Sequence, residues 1–171
     1  MKKLGYWIAK TKSKLFHSHE IMVDYYRRGG VKIGQKCLIC SDVLTREPYL
    51  IEIGDETVVS TDVSFVTHDN SAKLIFGNRG DLFGRIIIGS RCFIGERATI
   101  MYGVRLGNNI IVASGSVVTK SFETPNIIIG GNPAKIIGSW ENYERKYNKN
   151  AIARSELQKR IKEDESFLVR K

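Results

Sequence analysis

Between residues 86 and 120 an aliphatic side chain returns at every sixth position: Ile88, Ile94, Ile100, Leu106, Val112 and Val118. That interval fits neither the 3.6-residue period of an amphipathic helix nor the two-residue alternation of a half-buried strand. It is the interval of a hexapeptide repeat, the signature of a parallel β-helix. With three faces to the coil, three hexapeptides, about 18 residues, complete one turn. Stacked coils then bury the aliphatics in a continuous interior whose flat faces suit β-branched residues. Glycine follows the aliphatic in Ile88-Gly89, Ile94-Gly95 and Leu106-Gly107. There it is expected to supply positive φ at the corners, with Asn108 and Asn109 the next most tolerant residues.

The repeat reaches upstream with two interruptions. It starts at Ile33-Gly34 and Ile39, then slips between Val43 and Tyr49, where Pro48 cannot sit inside a ladder and a corner insertion is expected. It resumes at Ile53-Gly54, Val59-Ser60 and Phe65-Val66, and stops where Ser71 takes the place of the next aliphatic. Residues 70–85, punctuated by Gly77, Gly80 and Gly84, form a loop ejected from the coil directly after Thr67-His68-Asp69. Loops carried by a rigid scaffold are where function concentrates. Downstream, the period ends at residues 121–124 before Pro125; Ile127 to Ile129 make a last strand, and a turn at 130–135 precedes Ile136-Ile137.

Three segments result. Residues 1–30 are helical, with Ile21, Met22, Tyr25 and Tyr26 at helical spacing and Gly29-Gly30 closing the segment. They are expected to cap the open end of the coil, whose unpaired edge would otherwise be exposed. A basic amphipathic start of this kind also suits peripheral contact with a membrane. Residues 31–138 are the coil. Residues 139–171 are a charged tail in which Leu157, Ile161 and Leu168 predict a terminal helix with a frayed end.

Composition narrows the function. A chain of 171 residues suits one domain with a sizeable core. Its net charge of +9 favours an anionic partner: a phosphorylated cofactor, an acidic polysaccharide, a membrane surface or nucleic acid. Nucleic acid ranks low, because the basic residues are dispersed and no aromatic motif is interleaved with them. Cys37 and Cys92 each fall four residues after a repeat aliphatic, a slot otherwise held by Thr57, Val63, Ala98 and Ser116, so both thiols are expected to pack. Cys37-Leu-Ile-Cys40 has zinc-like spacing but no second pair, and no metal is expected. Lys10, Lys12 and Lys14 interrupt the N-terminal apolar residues, so the start does not read as a signal peptide. No run is long enough to span a bilayer, and the cytoplasm is the expected location.

Taken together, the hexapeptides, the loop after Thr67-His68, the run Gly115-Ser116-Val117-Val118-Thr119-Lys120 and the run Gly131-Asn132-Pro133-Ala134-Lys135 resemble the left-handed β-helix acyltransferases. The nearest branch is the sugar O-acetyltransferases, which takes in galactoside, maltose, capsular and O-antigen acetyltransferases and the related antibiotic acetyltransferases. The resemblance covers residues 31–138. It implies an all-β fold, a left-handed parallel β-helix in a triangular prism with an N-terminal helical cap and a C-terminal helix. The hand rests on the resemblance alone, since the general rule for parallel crossovers gives the opposite. Also implied are acetyl-CoA as co-substrate, a sugar or polysaccharide acceptor, and a homotrimer with active sites between neighbouring prisms.

The chemistry needs a base for the acceptor hydroxyl, donors for the oxyanion and a grip on the cofactor. Histidine is the usual base near neutral pH. Of the three histidines, His17 and His19 lie in the helical segment, where surface polarity accounts for them, and His68 stands where the coil opens into its loop. The resemblance places the catalytic base at His68. Asp69 is the candidate to orient its ring, although a backbone group or another subunit serves equally well. By the same resemblance a backbone N–H at Gly103 faces the oxyanion, Ser114 and Thr119 meet the cofactor, and Lys120 and Lys135 act as point charges near its phosphates. Glu96 falls where the family carries a small polar residue, and Gly138 where some members carry a second arginine. No serine or cysteine nucleophile stands beside His68, which favours direct attack by the acceptor. Acceptor choice is assigned to 43–50 and 70–85, with Arg79, Asp81 and Arg85 suited to polar contacts and Phe76 and Phe83 to stacking.

The function implied is acetyl-CoA-dependent O-acetylation of a sugar hydroxyl in polysaccharide modification. An N-acetyltransferase for a nucleotide-linked amino sugar, or an antibiotic O-acetyltransferase, would share His68 and differ only in the acceptor pocket. A zinc hydro-lyase on the same coil needs three converging histidines, and only His68 lies in the coil. A non-catalytic scaffold leaves Thr67-His68, the ejected loop and the terminal motifs unexplained.

Overall fold

The computed structural model describes residues 2–16 and 18–169. The chain divides into two compact units, one running to Ile137 and one from Gly138 onward. The division falls where the last strand gives way to the charged tail.

Two helices open the first unit, α1 (Lys2–Leu15) and α2 (Glu20–Arg28). Short strands follow: β1 (Lys32–Ile33), β2 (Leu38–Ile39), β3 (Ile51–Ile53), β4 (Val58–Val59) and β5 (Ser64–Phe65). The ejected segment contributes β6 (His68–Asp69), a single helical turn α3 (Lys73–Phe76) and β7 (Leu82–Phe83). The coil then continues through β8 (Ile86–Ile88), β9 (Phe93–Ile94), β10 (Thr99–Ile100), β11 (Arg105–Leu106), β12 (Ile111–Val112), β13 (Val117–Val118) and β14 (Ile127–Gly131), and β15 (Ala134–Ser139) closes the series.

All the coil strands pair in parallel, and the chain visits three sheets in rotation. The first face carries β1-β3-β8-β11, the second carries β2-β4-β9-β12-β14 with β15 added beside β14, and the third carries β5-β10-β13. Register shows how the sequence was spaced. Ile88 pairs with Leu106, Ile94 with Val112 and Ile100 with Val118, each 18 residues on. Ile53 pairs with Ile88 and Phe65 with Ile100, each 35 residues on, so the ejected loop adds 17 residues without shifting any face. Ile33 pairs with Ile53 at a spacing of 20, and the two extra residues are the corner insertion around Pro48. After Val118 the chain makes one more bridge than the period suggests, with Phe122 parallel to Leu106 before β14 pairs with β12.

Every repeat aliphatic from Ile33 to Val118 is buried, and Val59, Ile94, Ile100, Val112 and Val118 are fully so. At about 25 cal/mol per Å² this interior is the chief source of stability. Polar atoms in it are matched between coils. The Thr57 hydroxyl donates to the Gly89 carbonyl (2.9 Å), the Cys37 thiol to Gly54 (3.1 Å) and the Cys92 thiol to Gly107 (3.1 Å). Burial pushes both thiols above their ordinary range, as suits packed rather than reactive cysteines.

The corner glycines have a different duty from the one expected. Positive φ falls three residues after the aliphatic, at Lys36, Glu56, Asp62, Arg91, Arg97, Gly103, Asn109 and Gly115. The glycine one residue after it is required by space: a Cβ on Gly89 would lie 2.6 Å from the Gly107 carbonyl oxygen, and one on Gly95 would lie 2.6 Å from the Ser114 nitrogen. The spacing of stacked coils leaves no room there for a side chain.

In the first unit α2 packs on β1 and β2, with Val23 and Tyr26 buried in the same core as the coil aliphatics. In the second unit the single terminal helix expected is instead two, α4 (Trp140–Tyr147) and α5 (Leu157–Glu163). Ser139 caps α4 by accepting from the Asn142 N–H (3.2 Å). Phe167 is buried, with its carbonyl bound by the Asn150 side chain at 2.7 Å.

Candidate active site

The third face ends at Phe65, and the chain leaves the coil three residues later. β6 and β7 pair antiparallel, His68 opposite Phe83 and Asp69 opposite Leu82, so the excursion starts and returns as a two-stranded stem. The Gly84 N–H donates to the Thr67 carbonyl at 3.1 Å and closes the stem. Gly84 lies so near the next corner that a Cβ on it would be 2.4 Å from the Gly103 nitrogen. Glycine is required at that approach, and it brings the corner of His68 against the corner of Gly103.

His68 is held by a residue from the other insertion. Its Nδ1 lies 2.9 Å from Glu47 Oε2, and the same oxygen accepts the Thr67 hydroxyl at 2.8 Å. Desolvation opposes charge on Glu47, but the hydrogen bonds from Thr67 and His68 and the charges of His68 and Arg46 outweigh it, and the carboxyl titrates below its ordinary value. An ionised Glu47 accepts from Nδ1–H, and in the neutral form of the ring this leaves Nε2 as the nitrogen with the lone pair. Glu47 is only 15% exposed at its side chain and His68 is 29%, which leaves the ring reachable and its partner sheltered. The Phe83 ring stands 5.9 Å from the imidazole, centroid to centroid.

Asp69 does not orient the ring as expected. Its Oδ1 accepts the Ser71 N–H (2.8 Å) and its Oδ2 the Tyr102 hydroxyl (3.4 Å). The Ser71 hydrogen bonds lead in holding its carboxyl below the usual range. The strand explains the exchange: neighbouring side chains in β6 point to opposite faces, so Asp69 cannot share the side of His68 that meets Glu47. Glu47 and Tyr102 both escaped notice in the sequence. The one signal for Glu47 was its position beside Pro48, in a break of the repeat.

The remaining candidates fall on two corners of the coil. Tyr102, Gly103, Thr119 and Lys120 follow third-face strands that stack in register with β5, so they share a corner with His68. Glu96 and Ser114 each lie two residues past a second-face aliphatic and stack on one another at the next corner, where the Gly115 N–H donates to the Glu96 carbonyl (2.8 Å). Lys135 lies exposed on β15. Among the described residues neither Lys120 nor Lys135 enters an ion pair; the Lys120 ammonium rests 5.5 Å over the Phe122 ring. In the loop, Asp81 is taken by Lys73 (3.0 Å) and Arg85 by the Tyr49 carbonyl (3.4 Å), while Arg79, Phe76 and Phe83 stay exposed. His19 precedes α2, and His17 lies outside the described residues.

Known proteins resemble this chain in sequence and fold. Residues 85–120 match the model of a hexapeptide repeat of succinyl-transferase. Protein CapG of Staphylococcus aureus is 42% identical over 133 residues, 75% of this chain and 77% of that protein. The fold is similar to that of VCA0836, a hexapeptide-repeat containing acetyltransferase of Vibrio cholerae, at a TM-score of 0.55 and 20% identity, over 81% of this chain and 92% of that one. A galactoside acetyltransferase solved in complex with coenzyme A has a TM-score of 0.51 at 19% identity, over 84% of each chain.

Proposed function

The chain belongs to the hexapeptide-repeat acetyltransferase family, and on that premise we propose that it transfers an acetyl group from acetyl-CoA to a sugar hydroxyl, in the modification of a capsule, O-antigen or other polysaccharide. The observation that carries this reading is the His68–Glu47 pair (2.9 Å) at the mouth of the ejected loop. Acetyl-CoA supplies the activated thioester carbonyl. His68 Nε2 takes the proton of the acceptor hydroxyl as its oxygen attacks that carbon, and returns the proton to sulfur as the carbon–sulfur bond breaks. Glu47 keeps the ring oriented and offsets its positive charge while it holds the extra proton. The Gly103 backbone N–H receives the charge gathered on the carbonyl oxygen. Acetyl ester and thiol leave, and the base is as it began.

The unpaired ammoniums of Lys120 and Lys135 fit the phosphates of coenzyme A, and the net charge of +9 draws such an anion in. Ser114 and Thr119 are assigned to the same cofactor. Glu96 puts a carboxylate where the family has a small polar residue, and it sits beside Arg97 at 3.6 Å, which tempers its charge. The placement of Ser114 and Glu96 on one corner and of His68, Gly103 and Lys120 on another supports a complete site formed between copies of a left-handed coil, a homotrimer working in the cytoplasm. Phe76, Arg79 and Phe83 are left for the acceptor.

Thiol release from acetyl-CoA, measured across sugars, oligosaccharides, nucleotide sugars and amino sugars, tests the reading. Turnover with a hydroxyl acceptor is expected. Turnover only with amines would make the protein an N-acetyltransferase, and silence with every acceptor would leave a coil used for assembly. His68→Ala should lower turnover by about 100-fold or more while acetyl-CoA still binds; near-normal turnover in that variant removes His68 from the mechanism.

A further inference from the structure

Helix α1 carries a second face that the coil does not use. Leu4, Trp7, Ile8, Thr11 and Leu15 fall at i, i+3, i+4, i+7 and i+11, one stripe along the helix. The inward side is a different set: Ala9 is buried, a Cβ on Gly5 would meet the Tyr25 ring at 3.5 Å, and Tyr6 packs edge-on against Tyr25. The stripe is exposed, with Leu4 at 68%, Trp7 at 61%, Ile8 at 48% and Leu15 at 70%, and Trp7 also borders a hollow lined by Tyr25, Arg28 and Pro48. Phe16, directly after the helix, is 65% exposed. Lysines line its margins. Lys10 and Lys14 lie on one side of the stripe and Lys12 on the other, and the Lys10 ammonium stands 5.6 Å over the Trp7 ring. The segment Lys2–Leu15 holds five lysines and no acidic residue.

We propose that α1 is an interfacial helix that docks the protein on an anionic lipid bilayer. The stripe of Leu, Trp and Ile enters the boundary between headgroups and acyl chains, and the flanking lysines meet the lipid phosphates. Trp and Phe are the side chains that settle at such a boundary, and lysine stems reach out of it to the headgroups. A second copy of this chain is the poorer occupant of this face, because five lysines and no carboxylate along the helix offer another copy's α1 only like charge. No helix among the described residues is long and apolar enough to cross a membrane, so the helix lies on the surface. The inference stands on α1 alone and does not depend on the acetyl-transfer reading.

Flotation of the full chain with vesicles of phosphatidylcholine, with and without one-third phosphatidylglycerol, tests it. Binding to the anionic vesicles is expected, weakening as salt rises. In the Trp140→Phe background the Trp7 emission should shift to the blue on binding. Lys12→Gln with Lys14→Gln should weaken partition about fivefold per lysine, at about 1 kcal/mol each, and Trp7→Glu with Leu15→Glu should abolish it while thermal unfolding stays unchanged. No flotation with anionic vesicles, or equal flotation of the Trp7/Leu15 variant, overturns the proposal. So does loss of the oligomer in that variant without any lipid binding by the native chain, which assigns the stripe to a second copy.

Discussion

Glu47 and His68 are separated by 21 positions in the chain and by 2.9 Å in space. Glu47 touches no reacting atom, so its part is to position. Glu47→Gln should lower kcat roughly 10- to 100-fold, the scale of about 1.5–3 kcal/mol for a hydrogen bond to a charged group, with the KM for acetyl-CoA little changed. A kcat unaffected by the change would assign the pair to structure alone. The sign of its pH dependence follows from its lowered titration. A carboxyl whose folded-state value is depressed adds stability above its unfolded value and loses it as pH falls through the folded one. The gap in thermal stability between the native chain and Glu47→Gln should therefore be widest near neutral pH and close in acid; a gap independent of pH would contradict an ionised Glu47. Thr57 also ties coils together, donating to Gly89 and accepting from the Cys92 N–H (3.1 Å). Thr57→Val keeps the shape and strands both groups, and should cost about 1–3 kcal/mol by denaturant unfolding.

At the scale of the element, each hexapeptide is a two-residue strand followed by a corner, and the corner sets two demands at different positions. Where glycine follows the aliphatic the stacked coils leave no room for a side chain, and the residue two further on adopts positive φ. Gly89→Ala therefore forces a methyl to within 2.6 Å of the Gly107 carbonyl oxygen and should destabilise the coil by more than about 1 kcal/mol. Arg97→Gly relieves a left-handed residue and should leave stability unchanged or raise it. If the first variant were tolerated and the second were costly, the division of labour at the corner would be wrong. The six-residue aliphatics could be read directly from the sequence because burial fixes them. The positive-φ position could not, since charged residues such as Lys36, Glu56, Arg91 and Arg97 occupy it as freely as glycine.

For the whole molecule, the candidate residues sit on two corners of one coil, His68 with Gly103 and Lys120 on one, Glu96 with Ser114 on the other. If copies associate side by side, one copy's His68 meets the next copy's Ser114 corner. Mixing His68→Ala chains with Ser114→Arg chains, each inactive alone, should then restore about a quarter of native turnover under random assembly into trimers. Mixtures that stay silent would confine the site to one copy. Lys120→Ala and Lys135→Ala should chiefly raise the KM for acetyl-CoA, and an unchanged KM would remove them from the groove. The sequence by itself determined the coil and the loop thrown out after His68, because both are written in local spacing and the interior admits only aliphatics at those points. The tertiary structure decided that Glu47 rather than Asp69 holds His68, and that the glycines after the aliphatics answer to space rather than to φ. Both are contacts between residues distant in the chain, where spacing carries no information and only the stacking of one coil on the next brings the partners together.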